Sequence, residues 1–558
     1  MRRFVAGCMI VLMVFCLDSH AATITVGQNG CDFYRIEAAL DSASPGDIIE
    51  VQSGEYWVNL NITTPLIVLR GIDTGGGRPV LRAGSSTADI EGRVGTTTMM
   101  VERAGGTAIA IRAFNVTVEG FNITGVTWPK PYGTGELNDL IGDAGIRVYS
   151  DLNTISNNTF VGNDLTAIGL WNCSQNRIIK NTIKDIPYGY GIELYNSHSN
   201  TIEGNALIHN DWGIELQRSD WNGISDNEIR DSINDGINAV KCNGTTIADN
   251  IISGNGQETE YEGNGRGIRL VGSRGLIIDN VISFNKDHGI YIESIFWEGY
   301  PADESYENMI ARNKIRDNGK DGIHLEKAWR NNIWKNNITA NHGNAISFVL
   351  SNNNTVDENN VSKNDNGIYL DQSNYANITN NTILKEGVRG IYLWSCIGSA
   401  IGNNTLRQNP VGIALENSST DNRLSKNDVS NGTEGINLSD KSSDNVVRDN
   451  RVTSCLAGLS LAGASGNTIT GNIIQKNEKG LAVDIQSSGN AIFGNDISSN
   501  GEPARDEGRN LWDDGSRGNY YGSGDCQDSN HDGICDSPYA ISGGTNVDRY
   551  PLAVPGTP

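Results

Sequence analysis

The side chains of this 558-residue chain best suited to chemistry return at a nearly fixed spacing. Glu193, Glu215, Arg269, Tyr291, His324, Tyr369 and Tyr392 all fill the third place of a repeated phrase, Gly-Ile-x-Leu or its close variant. Two residues further on stand Tyr195, Glu293, Glu326, Asp371 and Trp394. Glu193 and Glu215 are one repeat apart, as are Glu293 and Glu326, so in adjacent coils each pair stacks within ~5 Å. Directly opposed like charges are destabilising, and each pair needs a cation, a raised pKa or divergent rotamers. Two chemistries suit such a surface. Carboxyls about 5 to 5.5 Å apart serve a retaining glycosidase. On a uronate, Arg269 would neutralise the sugar carboxylate, His324 would take the C5 proton and Tyr291 would protonate the leaving oxygen. Around these catalytic candidates lie Arg266, Asp287, His288, Asp321 and Lys327. Glu193, Tyr195, Glu215, Tyr369, Asp371, Tyr392 and Trp394 are the substrate-binding candidates, because aromatic faces beside planar polar groups suit sugars.

The tail carries a different signal. Asp528, Asn530, Asp532, the carbonyl of Ile534 and Asp536 stand at places 1, 3, 5, 7 and 9 of a loop with Gly533 at place 6. That order matches the first part of an EF-hand-type calcium loop. The twelfth place is Tyr539 rather than Glu, and no helical pattern flanks it. Calcium is the cofactor expected here, with a plain turn as the alternative. Cys526 and Cys535 lie close together in a turn-rich, exported segment, which predicts a disulfide. Cys31, Cys173, Cys242, Cys396 and Cys455 are scattered singly and read as free thiols. The spacing shows no Cys/His metal cluster anywhere.

The elements that position these groups follow from the period. Isoleucines of the phrase fall at 146, 168, 192, 214, 237, 268, 290, 323, 346, 368, 391, 413 and 436, with Leu459 and Leu481 in the same place. Most steps are 22 or 23 residues. A fixed period of this kind marks a repeat architecture. An "Asn-x-Ile" phrase also recurs, as in Asn200-Thr201-Ile202 and Asn381-Thr382-Ile383. Three short strands per period cannot form hairpins, but they can wind as a parallel coil in which each strand pairs with its equivalent one turn above. The expected fold is all-β, a single-stranded right-handed parallel β-helix of about 22–23 residues per coil. Inward Ile and Leu build an apolar column, and stacked Asn side chains form amide ladders at the turns. Alternation along each strand then sends the x residue and the one after Leu to solvent.

Four segments are expected: a signal peptide over 1–22, a cap helix with irregular first coils over 23–144, regular coils over 145–500, and a tail over 501–558. The signal reading rests on Arg2-Arg3, the apolar run Phe4–Leu17 and the small-x-small site Ser19-His20-Ala21. The helix is predicted over Asp32–Ser44, with Phe33, Ile36, Ala39 and Leu40 on one face. Steps of 31 and 33 residues, ending at Ile268 and Ile323, predict loops that wall the face, as does the irregular stretch Trp128–Asp143. Formal net charge is −23, which argues against nucleic-acid partners. No later stretch is apolar enough to span a membrane. The expected setting is therefore secreted, extracellular or cell-surface, with a polysaccharide or cell-envelope glycan as partner.

The repeat region resembles the carbohydrate-binding and sugar-hydrolase (CASH) class of pectate-lyase-like β-helices. The mature chain as a whole resembles NosD-like β-helix proteins, named for a periplasmic copper-associated factor in nitrous-oxide-reductase maturation. The phrase from Ile36 to Tyr56, the Asn-x-Ile and Gly-Ile-Tyr-Leu coils, and the tail segments Asn510–Gly515, Gly518–Tyr520, Gly533–Tyr539 and Asp548–Leu552 carry that likeness. Such a tail is common on exported archaeal surface proteins. The resemblance implies the β-helix fold, a glycan partner and copper. Copper is not supported by the residues, because the histidines are scattered and the mature methionines are Met99, Met100 and Met309 alone. The Asp-Pro-His motif of mannuronan epimerases is absent, Asp287-His288-Gly289 being a loose echo. Binding with lyase, epimerase or glycosidase activity is the first functional reading. A non-catalytic structural or adhesive envelope protein is the second, and a copper-associated accessory protein the third.

Overall fold

The computed structural model describes residues 21–84, 106–126, 143–256, 264–295, 303–522, 524 and 526–555. The expected signal segment and the stretches predicted to wall the face fall wholly or largely outside these residues.

The chain winds into a parallel β-solenoid of about 19 turns. A typical coil holds three strands, such as Asn332–Trp334, Asn337–Thr339 and Ile346–Val349. The first strand of each coil joins a 20-stranded sheet, and the other two join a 33-stranded sheet. Two long strands, Thr182–Tyr195 and Ala206–Gln217, run through the corner and merge the last two faces. Every pairing in these two sheets is parallel and matches the repeat: Ile290 with Ile323, Tyr291 with His324, Ile292 with Leu325 and Glu293 with Glu326. The antiparallel strand pair among the described residues is Tyr539–Ala540 with Val547–Asp548, in the tail. No helix of the described residues is long and apolar enough to cross a membrane.

The core is the stacked column predicted from the period, and Ile192, Ile214, Ile290, Ile323, Leu194 and Leu325 are all completely buried. The repeat's glycine is there for space. A Cβ on Gly289 would lie 2.7 Å from the carbonyl oxygen of Gly322 in the next coil. At the corners, asparagine ladders hold the coils together. Asn336 donates its backbone and side-chain N–H to Asn359 Oδ1 (2.9 and 3.0 Å) and accepts the same pair from Asn313 (2.9 and 3.0 Å). Its amide also reaches the carbonyl of Ile310 at 2.9 Å. The preceding residue, Lys335, has φ 55°, a left-handed turn that costs a non-glycine residue roughly 1–2 kcal/mol and that the ladder offsets.

The helix forms over Ile36–Ser42, shorter than predicted, and buries Ile36, Ala39 and Leu40 against the first coils. Short strands open the solenoid at Ile48–Gln52, Val68–Ile72, Val80–Ala83, Ile109–Ile111 and Thr117–Glu119. The last solenoid strands are Glu502–Asp506 and Arg509–Leu511.

One expectation is corrected. The x residues were predicted to face solvent, yet Glu193, Glu215, Asn238, Tyr291 and Ser347 are buried, as is Arg147. They stand outside the apolar column, but rungs ~4.8 Å apart bring side chains of neighbouring coils into contact, as in Arg147–Glu193, Asn238–Glu215 and Tyr291–His324, and these contacts cover them. The result is a dense polar layer over the sheet.

Candidate functional site

Three columns of side chains make this layer: the residue before the repeat's Gly, the x residue, and the residue after Leu. The sequence reading followed the last two along the whole solenoid. The first includes Tyr190, Trp212, Asp235, Arg266, His288, Asp321, Asn344, Asn366 and Arg389, of which only Arg266, His288 and Asp321 had been noted. Its signal was present, since each of these residues precedes the repeat's Gly, or Ala345 in its place.

Two of the catalytic candidates meet at the centre of the layer together with their neighbours from that column. The rings of His288, Tyr291 and His324 stack on one another: His288–Tyr291 at 5.3 Å, His288–His324 at 4.6 Å and Tyr291–His324 at 5.2 Å. The Tyr291 hydroxyl donates to Glu326 Oε2 at 2.7 Å and stands 3.4 Å from Glu293 Oε2. Arg269 grips Glu293 Oε1 with Nε at 2.9 Å and Nη2 at 2.5 Å. The Arg266 guanidinium sits 4.4 Å over the Tyr291 ring. Arg269, Tyr291, Glu293, His324 and Glu326 are thus all brought together.

The protons in this cluster are assigned by its hydrogen bonds. His324 Nδ1 lies 2.8 Å from Asp321 Oδ2, so in the neutral imidazole an ionised Asp321 favours the proton on Nδ1 and the lone pair on Nε2. Burial pushes the Asp321 carboxyl up, but the His324 hydrogen bond, both imidazoles and the Asn344 backbone N–H outweigh it and hold it below the usual range. His288 Nδ1 accepts the Asp321 backbone N–H at 3.2 Å. Its Nε2 faces Asp287 Oδ1 at 3.3 Å. Burial, with His324 alongside, lowers the His288 pKa to about 4, so this imidazole is neutral at physiological pH. Burial pushes the Tyr291 phenol up, and it keeps its proton. Glu326 is held below the usual range, first by the Tyr291 hydroxyl.

His288, Asp321 and His324 offer ligand atoms within 4.8 Å of one another, a grouping hidden in the sequence because the residues come from two successive coils. Both Nδ1 atoms are already committed, one as acceptor and one as donor, which leaves the Nε2 atoms to carry any proton transfer or ligation.

The outer candidates form two further groups. At one end Arg147 pairs with Glu193 at 2.9 Å, and Tyr195 stacks on Trp171 at 4.3 Å. Glu215, beside Glu193 in register, takes hydrogen bonds from Asn238 at 2.8 Å and Gln217 at 3.1 Å, and burial pushes it up to about 8. The opposed carboxyls are therefore relieved in two of the three expected ways, Glu193 by a cation and Glu215 by a raised pKa. At the other end Tyr369 stacks on Tyr392 at 5.1 Å and Trp394 meets Tyr392 edge-on at 6.1 Å. Asp371 pairs in register with Trp394 and is half-buried.

In the tail, Cys526 and Cys535 are disulfide-bonded, with Cα atoms 5.1 Å apart. Asp528 accepts the backbone N–H of Asp532 and Gly533, and Asn530 that of Asp532. Asp532 caps the Ile534 N–H, while Asp536 accepts from Ser529. The loop's oxygens are occupied with its own turns. Cys173, Cys242, Cys396 and Cys455 are buried free thiols, and Cys31 is partly exposed.

A family model described as a right handed beta helix region matches residues 101–258, 166–297 and 297–429. The chain belongs to the right-handed β-helix family. A second model, described as periplasmic copper-binding protein (NosD), matches residues 382–526. An inulin fructotransferase [DFA-I-forming] from Arthrobacter globiformis is 25% identical over 285 residues, covering 44% of this chain and 72% of that protein. Among solved structures, the periplasmic alginate epimerase AlgG is similar at 16% identity and a TM-score of 0.33, over 62% of this chain and 74% of its own. The A-module of the Azotobacter vinelandii mannuronan C-5 epimerase AlgE4 is similar at 12% identity and a TM-score of 0.36, over 78% and 93%.

Copper does not fit the segment that carries the NosD likeness. None of the chain's seven histidines or six methionines lies within 382–526. Of its cysteines, Cys526 is disulfide-bonded and Cys396 and Cys455 are buried, with thiols that burial pushes up, Cys396 to about 12.

Proposed function

We propose that this protein is exported, binds a linear polysaccharide along the outward polar layer, and acts on its uronate units by proton transfer at His324. The observation that carries the reading is the Asp321–His324 pair, whose geometry fixes a free Nε2 beside a protonated tyrosine and two arginines. Arg266, whose Nε and Nη1 have no hydrogen-bond partner among the described residues, engages the sugar carboxylate, with Arg269 shared between it and Glu293, and so acidifies C5–H. His324 Nε2 takes that proton while Asp321 stabilises the imidazolium. In elimination the C5–H electrons form the C4–C5 double bond, the C4–O bond breaks, and Tyr291 delivers its proton to the departing oxygen. In epimerisation a solvent proton instead reaches C5 from the face opposite His324.

Retaining glycoside cleavage is the weaker reading at this centre. It needs one protonated carboxyl, yet Glu293 is ion-paired with Arg269 and Glu326 is kept ionised. The relation to an inulin fructotransferase supports a polysaccharide as the substrate class, and the periplasmic description of the NosD model supports export.

The test is an assay on alginate and polygalacturonate for unsaturated ends and for C5 inversion. Wild type is expected to give one of the two products. His324→Ala should abolish it, and Tyr291→Phe should lower the rate about 10²–10⁴-fold. Binding without either product would assign the protein to the non-catalytic envelope class. An unimpaired His324→Ala enzyme would move the chemistry elsewhere.

A further inference from the structure

The arrangement around Tyr291 occurs twice. At the centre, an arginine from the column before Gly, Arg266, lies 4.4 Å over Tyr291, whose hydroxyl donates to Glu326 at 2.7 Å. Farther along, Arg389 from the same column lies 4.1 Å over Tyr392, whose hydroxyl donates to Glu416 at 2.8 Å. Arg389 also holds Glu416 Oε1 through Nη2 at 3.0 Å, while its buried Nε has no protein partner. Tyr369 stacks behind Tyr392, and Trp394 stands edge-on to it.

The two stations share one row. Register runs Tyr291, His324, Ser347, Tyr369, Tyr392 in successive coils. Four rungs of ~4.8 Å separate Tyr291 from Tyr392 by roughly 19 Å. Midway between them, in the coil of Ser347 and Val349, the floor is small and uncharged. Ser347 is buried, and beside it Asn344 donates to Asp321 Oδ1 at 3.1 Å, Asn366 donates to Asn344 Oδ1 at 2.9 Å, and Asn366 Oδ1 accepts the Arg389 backbone N–H at 3.1 Å. A continuous hydrogen-bonded ladder therefore ties the second station to the aspartate that orients His324. A rung is close to the length of one pyranose unit in an extended chain. A polysaccharide lying parallel to the solenoid axis would place one unit on each coil.

We propose that Arg389, Tyr369, Tyr392 and Trp394 form a distal station that holds the same anionic polysaccharide chain as the His324 centre. A carboxylate engages Arg389 and a sugar ring packs on the Tyr392–Trp394 surface, three coils from His324 and so about three to four units from the reacting one. This rests on the reading given under Proposed function and adds to it a minimum substrate length and a second carboxylate contact.

The experiment measures kcat/KM and calorimetric affinity for oligouronates of two to eight units, prepared from alginate and from polygalacturonate. Wild type should gain about tenfold or more between four and six units and then level off, tenfold being 1.4 kcal/mol. In Trp394→Ala and, separately, Arg389→Lys, the ratio of long to short substrates should fall towards one. Two variants are used because Trp394 is only partly exposed and Arg389→Lys keeps the charge while losing the planar fork. A profile that levels off at two or three units, or that persists in both variants, overturns the distal station but leaves the His324 centre standing. A wild-type protein that neither binds nor converts any oligomer removes both.

Discussion

Asp321 accepts His324 Nδ1–H through Oδ2 and binds the backbone and side-chain N–H of Asn344 through Oδ1 at 2.6 and 3.1 Å. It touches no substrate position, so its work is to fix which imidazole nitrogen is free. Asp321→Asn keeps the shape but can present an N–H to His324 Nδ1, which favours the tautomer with Nε2 protonated and removes the base. A loss of about 10⁴ in kcat with little change in KM is expected, the size seen when the equivalent partner is lost from a hydrolase triad. Imidazole nitrogen NMR of the variant should show the tautomer exchanged. An unchanged tautomer alongside lost activity would contradict this role. Little of this was legible beforehand. His324, Tyr291 and Arg269 were found because they share one register. Asp321 was seen as a neighbour but not as a partner, because the bond depends on how a turn residue folds back over its own strand.

Among the elements, the asparagine ladders were the most legible feature, because stacking identical amides requires the same residue once per coil. They also expose a misfit. In the ladder Asn341–Asn364–Glu386–Asn409, Glu386 takes an asparagine's place. Its Oε2 accepts from Asn364 at 2.8 and 3.1 Å, while Oε1 is buried without a partner. Burial pushes Glu386 up to about 7. The folded state therefore binds this proton more tightly than the unfolded chain. Stability from this group is full below the unfolded pKa of ~4.3 and is lost as pH rises through about 7. Glu386→Gln should raise stability at pH 8 by on the order of 2–3 kcal/mol and change little at pH 4. Chemical denaturation at the two pH values checks this, and equal effects at both would show that Glu386 is not the titrating group. The burial of the x residues was not legible in this way. Strand alternation gives direction, whereas exposure depends on how side chains from neighbouring rungs lie over one another.

For the whole molecule, the period of 22–23 residues was sufficient to deduce the solenoid, its column and its register. The site was legible only as rows, because the convergence of His288, Asp321 and His324 is a property of successive coils and not of any local motif. A net charge of −23 repels a polyanion at long range, so recognition of a uronate chain must rest on the few arginines set into the polar layer. Arg147 is spent on Glu193, which leaves Arg266 and Arg269 near the base and Arg389 at the distal station. The most direct test is to incubate the protein with alginate or polygalacturonate in D2O and follow C5 by NMR. The proposed mechanism predicts loss of the C5 proton, with deuterium appearing there if the product is an epimer, and no such change with His324→Ala. Bound polysaccharide whose C5 protons stay intact, or equal loss in the His324→Ala protein, would contradict it.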